Sequence, residues 1–269
     1  MSPQSILRVA AVAGMVGLGT GAGWLVQASS QADGQNIPVL VELFTSEGCS
    51  SCPPADQLLI RLDEEQPVPG ADIIVVSEHV DYWDRLGWRD PFSSPAFTQR
   101  QEDYRQALGE PANYTPQMVV DGRAALIGSL ESDVRRAVTE AARQPKASVR
   151  VEPIGPMTSD TVALRVHVTR MPILPQGDRA ELWVAVTQRG LVTHVPRGEN
   201  ARRRLPHTAV ARRLERIETL PAVARDTFQT TVQVDLDPDW PQEQLRVVAF
   251  LQAVDSRHVL GVGQTSLLP

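Results

Sequence analysis

Val39-Leu40-Val41-Glu42-Leu43-Phe44-Thr45-Ser46-Glu47-Gly48-Cys49-Ser50-Ser51-Cys52-Pro53-Pro54-Ala55-Asp56 joins an apolar run to the chain's two cysteines. Its apolar and β-branched start predicts a buried strand, a short polar loop follows, and the cysteine pair falls where a new helix begins. At a helix start the backbone N–H groups lack intrahelical acceptors and the macrodipole is positive, which stabilises a thiolate at Cys49. Helical spacing sets Cys52 one turn further in, within reach of the first sulfur. Cys49 is therefore the candidate nucleophile and Cys52 the thiol that resolves its mixed disulfide. Pro53 and Pro54 suit a first turn, whose N–H groups are unpaired anyway.

The chain holds 2 cysteines, so each is the other's only intramolecular partner. Two inert readings compete with redox chemistry. A zinc site needs about four ligands, and the sequence offers no second pair. A structural disulfide closing so short a loop removes little chain entropy.

Working outward, 269 residues with 42% hydrophobic content are enough for about two domains with real cores. A net charge of −6 argues against nucleic acid as a partner. At the amino terminus, Arg8 precedes an apolar, Gly-rich run from Val9 to Val26, and Ser30-Gln31-Ala32 follows. Residues 1–32 are expected to be a secretory signal or, uncleaved, an anchor in the inner membrane through residues 9–26. Both readings put the rest in the periplasm or outside the cell, where paired cysteines are at home. Membrane contact is expected only through that segment.

Ala55, Leu58, Leu59 and Leu62 give the first helix one apolar stripe. Ile73 to Ser77 is an unalternating apolar run that suits a strand covered on both faces and parallel to the first. A loop dense in aromatic and charged residues, Glu78 to Phe92, precedes a second helix from Ser94-Pro95 to Leu108, with Phe97, Tyr104 and Leu108 inward. Asp121-Gly122 between apolar runs predicts a hairpin, and Ser129 or Ser132 is expected to cap a third helix with Val134, Ala137, Val138 and Ala141 buried. The predicted order for residues 37–145 is β-α-β-α-β-β-α.

That order, Cys-x-x-Cys at the first helix, and Thr115-Pro116 before the third strand resemble the thioredoxin superfamily. More narrowly, Phe44 to Asp56, His79-Val80-Asp81-Tyr82-Trp83 with Leu86-Gly87-Trp88, and Tyr114-Thr115-Pro116-Gln117-Met118 resemble a family of secreted bacterial thioredoxin-like proteins of unknown function. The resemblance implies a cis proline facing the disulfide, with Thr115 and Pro116 shaping a groove for a substrate's cysteine segment. Ser50-Ser51 matches neither the Gly-Pro of reductants nor the Pro-His of strong oxidants, so it implies no redox direction. Glu42 lies near the family's buried acidic proton shuttle, one residue further from the first cysteine, and is a candidate proton relay.

His79 and Asp81 follow the second strand, at the sheet end that carries the cysteines, and are the other candidate relay groups. The competing role for His79 is structural, hydrogen-bonded into the cluster of Trp83 and Trp88. Cys49, Cys52 and His79, with Met118 nearby, would also make a soft Cu(I) site.

From residue 146 to 269 the pattern changes. Residues 147–151, 162–168, 182–187, 228–234 and 245–252 predict strands without intervening helices, which suggests an antiparallel β-sandwich. Between Gly190 and Leu220 the chain is basic, with Arg202-Arg203-Arg204 and Arg212-Arg213. An anionic partner there competes with plain solvated arginines. His207-Thr208-Ala209-Val210-Ala211-Arg212 distantly resembles a segment of the sandwich domain in related outer-membrane thioredoxin-like proteins. The sequence thus leads to an extracytoplasmic thiol–disulfide oxidoreductase acting on substrate proteins with cysteines and served by a redox partner protein. A copper-binding assembly factor and a non-catalytic binding protein with a structural disulfide are its alternatives.

Overall fold

Strand β1 (Ile37–Thr45) sends Val39, Val41 and Leu43 into one hydrophobic core and Leu40 and Phe44 into others across the sheet, the alternation of a strand buried on both faces. In this computed structural model, which describes residues 36–155, 158, 160–174, 178–220 and 227–268, β1 is paired on both sides. β2 (Ala71–His79) runs parallel to it, and β3 (Gln117–Val120) antiparallel. β4 (Ala124–Ile127) completes the hairpin with β3. At its turn Asp121 and Gly122 both take positive φ, 50° and 62°. A side chain on Gly122 would place its Cβ 1.9 Å from the carbonyl oxygen of Arg257, so close approach of the backbone also requires glycine there.

Helices α1 (Pro53–Glu65) and α3 (Glu131–Ala141) cover one face, and the stripes expected from their spacing are the residues that they bury. α2 (Pro95–Leu108) covers the other, with Phe97 and Tyr104 inward and the Ser94 hydroxyl accepting the N–H of Ala96. Two local expectations need correction. α1 begins at Pro53, so Cys52 is its N-cap and Cys49 lies in the turn before it. The two prolines have no N–H to donate and mark the first turn themselves. α3 is preceded by Leu130, with neither Ser129 nor Ser132 as cap; Glu131 and Asp133 in its first turn complement the helix dipole instead.

The expected strands of the second half are present as β5 (Ser148–Pro153), β6 (Thr161–Thr169), β7 (Ala180–Gln188), β11 (Thr227–Asp235) and β12 (Leu245–Ala253). β8 (Leu191–His194), β9 (Arg204–His207), β10 (Val210–Leu220) and β13 (Val259–Ser266) join them. The boundary expected at residue 145 does not divide the sheet. Eight strands run in the order β13-β12-β7-β10-β2-β1-β3-β4. The seam is the parallel pairing of Val210 with Ser77, where the Ser77 N–H donates to the Ala209 carbonyl at 2.8 Å.

A second sheet, β11-β6-β5, packs on the β7 and β12 side through Leu164, Val166, Leu182, Val184, Val247 and Leu251. On the opposite face of those strands, Val248 and Phe250 join Leu40, Ile74, Val76 and Phe97 in one core, so both halves of the chain share it. Among the described residues no helix is long and apolar enough to cross a membrane. The expected signal or anchor, residues 1–32, lies outside the described residues.

Candidate functional site

The cysteine turn hangs between the end of β1 and the start of α1. Cys49 and Cys52 form a disulfide with their Cα atoms 5.5 Å apart. Both residues are wholly buried, whereas Ser50 and Ser51 between them are exposed. Ser51 Oγ lies 3.3 Å from Cys49 Sγ and 3.5 Å from the carbonyl oxygen of Thr115. The Thr115–Pro116 peptide is cis, and Trp83 Nε1 donates to Thr115 Oγ1 at 2.8 Å. The structure therefore brings Cys49, Cys52 and Thr115 together at one end of the sheet, with Pro116 buried beside them.

The turn is held from both halves of the chain. Glu47 N–H donates to Asp90 Oδ2 at 2.8 Å, and Trp88 Nε1 donates to Glu47 Oε2 at 2.7 Å. The segment between β8 and β9 closes over it: Asn200 Nδ2 donates to the carbonyls of Glu47 and Cys49, at 2.9 and 2.8 Å. Ser50 N–H donates to Glu199 Oε2 at 3.0 Å. Asn200 is fully buried, so this cover excludes water from the backbone around Cys49.

Behind the turn lies a buried cluster of ionisable groups. His79 Nδ1 is 2.7 Å from Asp90 Oδ2, and His207 Nε2 is 3.2 Å from Glu47 Oε1. The two imidazole rings meet edge to face, 5.0 Å apart, and Asp56 Oδ1 sits 4.0 Å from His207 Nδ1. His79 Nε2, His207 Nδ1 and Asp56 Oδ1 are buried without a hydrogen-bond partner among the described residues. Burial opposes a charged imidazole at His79, but the Asp90 carboxylate, with Asp56 and Glu47, outweighs it and raises the pKa. Burial raises Asp56 as well, against the pull of both histidines.

The other candidates are engaged elsewhere. Glu42 accepts from Arg100 Nε at 2.7 Å and from the Tyr104 hydroxyl at 2.5 Å, both on α2 and neither in the cysteine turn. Asp81 Oδ1 accepts from the Thr98 hydroxyl at 2.6 Å. Met118 is buried in the core under α1 and α3. His79 has Asp90 as its partner, while Trp83 and Trp88 bond to Thr115 and Glu47. Among the described residues, with the sulfurs bonded to each other, no three His, Cys, Asp or Glu side chains are grouped as metal ligands. Sequence reasoning missed Glu47, Asp56, Asp90, Glu199, Asn200 and His207. Glu47 and Asp56 had a signal in their nearness to the cysteines, Asp90 in the charged loop and His207 in the segment from His207 to Arg212, but nothing local joins β9 to Glu47 across 160 residues, and Glu199 and Asn200 had no signal.

Two solved structures share the chain path. A crystal structure of a protein from Agrobacterium tumefaciens matches with a TM-score of 0.62 at 24% identity, over 86% of this chain and 94% of that one. HBP35 of Porphyromonas gingivalis matches with a TM-score of 0.60 at 16% identity, over 86% and 75% respectively. No curated protein sequence matches. The family model described as "Protein of unknown function (DUF1223)" matches residues 40–252, most of the chain and the cysteine turn with the Asn200 cover included, and the chain belongs to that family.

Proposed function

We propose that this protein is an extracytoplasmic thiol–disulfide oxidoreductase of thioredoxin-like architecture, acting on protein cysteines through Cys49 and Cys52. The observation that carries the reading is the disulfide at the start of α1, with Ser51 bridging Cys49 and the Thr115 carbonyl. The succession β1-α1-β2-α2-β3-β4-α3 supports it.

In the disulfide form, a thiolate of an incoming protein attacks Cys49 Sγ, and the Cys49–Cys52 bond breaks with Cys52 leaving as a thiolate. A second thiolate of the same protein attacks its own sulfur in the mixed disulfide and releases Cys49. Two electrons pass from the partner dithiol to the pair, and the reverse sequence reduces a partner disulfide. Ser51, whose hydroxyl reaches Cys49 Sγ, would donate to its thiolate, and the Thr115 backbone would receive the extended partner chain as an added strand.

The test uses a peptide dithiol and the full chain. Wild type should oxidise the dithiol stoichiometrically; given the same peptide as its disulfide, Cys52→Ser should trap a mixed disulfide at Cys49 with release of the peptide's other thiolate, and Cys49→Ser should do neither. A Cys49–Cys52 bond that stays intact in the native protein under excess peptide dithiol sinks the proposal.

A further inference from the structure

A cleft of about 350 Å³ opens away from the cysteines, between the first turn of α2 and β10. Phe92, Ser94, Arg212, Arg213, Glu215 and Trp240 are among the residues that line it. In a regular strand two consecutive residues face opposite ways. Here Ala211 pairs with Thr187 and Arg213 with Val186, so Arg212 is the extra residue of a bulge, and both guanidinium groups border one cavity. Bulges of this kind re-aim side chains beside binding sites.

The Arg212 guanidinium lies 4.9 Å from the ring centre of Trp240 and 5.3 Å from that of Phe92. Arg213 stands 6.0 Å from Trp240. Aromatic faces attract these cations without neutralising them. Among the described residues Arg212 has no carboxylate within ion-pair distance. Arg213 has one loose contact, its Nη1 3.8 Å from Glu215 Oε1, and its Nε is buried with no acceptor. Burial lowers the Arg212 pKa, offset in part by Asp237. Both guanidinium groups are partly hydrated and neither is neutralised, so an anion that enters the cleft meets two cations less screened than in open water. The N–H of Ala96 at the start of α2 is already capped by Ser94, so the positive charge of the cleft comes from the arginines.

We propose that this cleft binds a small organic carboxylate, its oxygens held by Arg212 and Arg213 and its flat apolar body laid against Trp240 and Phe92. A planar guanidinium matches a carboxylate in two parallel hydrogen bonds. The volume is at the small end of ligand sites and suits one ring system and its acid group. This site stands whether or not the cysteines exchange disulfides.

The experiment titrates the full chain calorimetrically with 2-naphthoate, with the neutral 2-naphthalenemethanol, and with inorganic phosphate. Wild type should bind the acid saturably and both other probes at least tenfold more weakly. Arg212→Gln and Arg213→Gln should each weaken the acid about tenfold or more at unchanged melting temperature, and Trp240→Ala should weaken acid and alcohol alike. Affinity of the wild type for the acid should also fall as salt rises, a readout that does not depend on either arginine variant folding. Absence of saturable naphthoate binding overturns the site. So does an alcohol that binds as tightly as the acid, phosphate that binds as tightly as naphthoate, a salt-independent affinity, or folded arginine variants with unchanged affinity.

Discussion

Two buried charge clusters sit in this sheet and differ in the cation that answers their carboxylates. Beneath α2, Arg100 donates to Glu42, to Tyr104 and to Gln252 at 3.2 Å, and lies over the rings of Tyr104, Trp183 and Phe250 at 5.0 to 5.2 Å. Glu78 lies 3.4 Å from Arg100 Nε with neither of its oxygens in a hydrogen bond among the described residues, and burial, then the charge of Glu42, raise its pKa. Behind the cysteine turn the second cluster leaves His79 Nε2, His207 Nδ1 and Asp56 Oδ1 without partners. The first cluster joins β1, α2 and β12 around a guanidinium, a permanent cation. The second has only imidazoles to answer its carboxylates, groups that gain and lose protons near neutral pH.

Arg100→Met should cost about 3–5 kcal/mol in urea unfolding, because it strands the Glu42 charge in the core. Adding Glu42→Gln should recover most of that loss. A single variant that costs less than about 1 kcal/mol would mean the joint carries no such energy.

On the cysteine side, Asn200→Ala leaves the buried carbonyls of Glu47 and Cys49 without a donor, at about 1–3 kcal/mol. The same variant should speed reduction of the disulfide by dithiothreitol, since the cover over Cys49 is tied down through that amide. If reduction is no faster, access to the sulfurs is not gated there.

The smallest effect is the pH dependence of the His79–Asp90 pair. His79 is raised, so its contribution is full below the ordinary histidine value of about 6.5 and is lost as pH rises through the folded value. Asp90 is lowered, against burial, by His79 and by the N–H groups of Glu47 and Phe92. Its contribution is present above about 3.8 and lost as pH falls. The pair therefore stabilises most between those values. Urea unfolding should show wild type losing stability above about pH 6.5, a slope that shrinks in Asp90→Asn; an unchanged slope would uncouple the two residues.

The elements of residues 37–141 were legible because each obeys a local rule. The stripe Ala55, Leu58, Leu59, Leu62 has helical period, Ser94-Pro95 caps and starts α2, and Asp121-Gly122 takes the two positive φ values of its turn. β10 was not, because its half-buried arginines and its two register shifts erase the alternation that marks a strand. The seam between Val210 and Ser77 is a single pairing between residues 133 positions apart, and no local pattern records it. The cysteine turn was legible as a motif, but its burial was not, since Glu199 and Asn200 carry no periodic signal and act only once β8 and β9 have folded back. Glu42 was a candidate by its offset from Cys49; strand alternation turns it to the α2 face.

The Val210–Ser77 seam also bears on the order of events in folding. Until residues 210–220 arrive, β2 ends in an unpaired edge, and Ile74 and Val76 lack the β10, β12 and β13 side chains that complete their core. A chain emerging from its amino terminus therefore exposes an apolar, pairing-competent strand for as long as it takes to add the second half, the kind of edge that templates aggregation. Pairings of such long reach close late and slowly. The cysteine-bearing half reaches its final packing only after the half that follows it has been made.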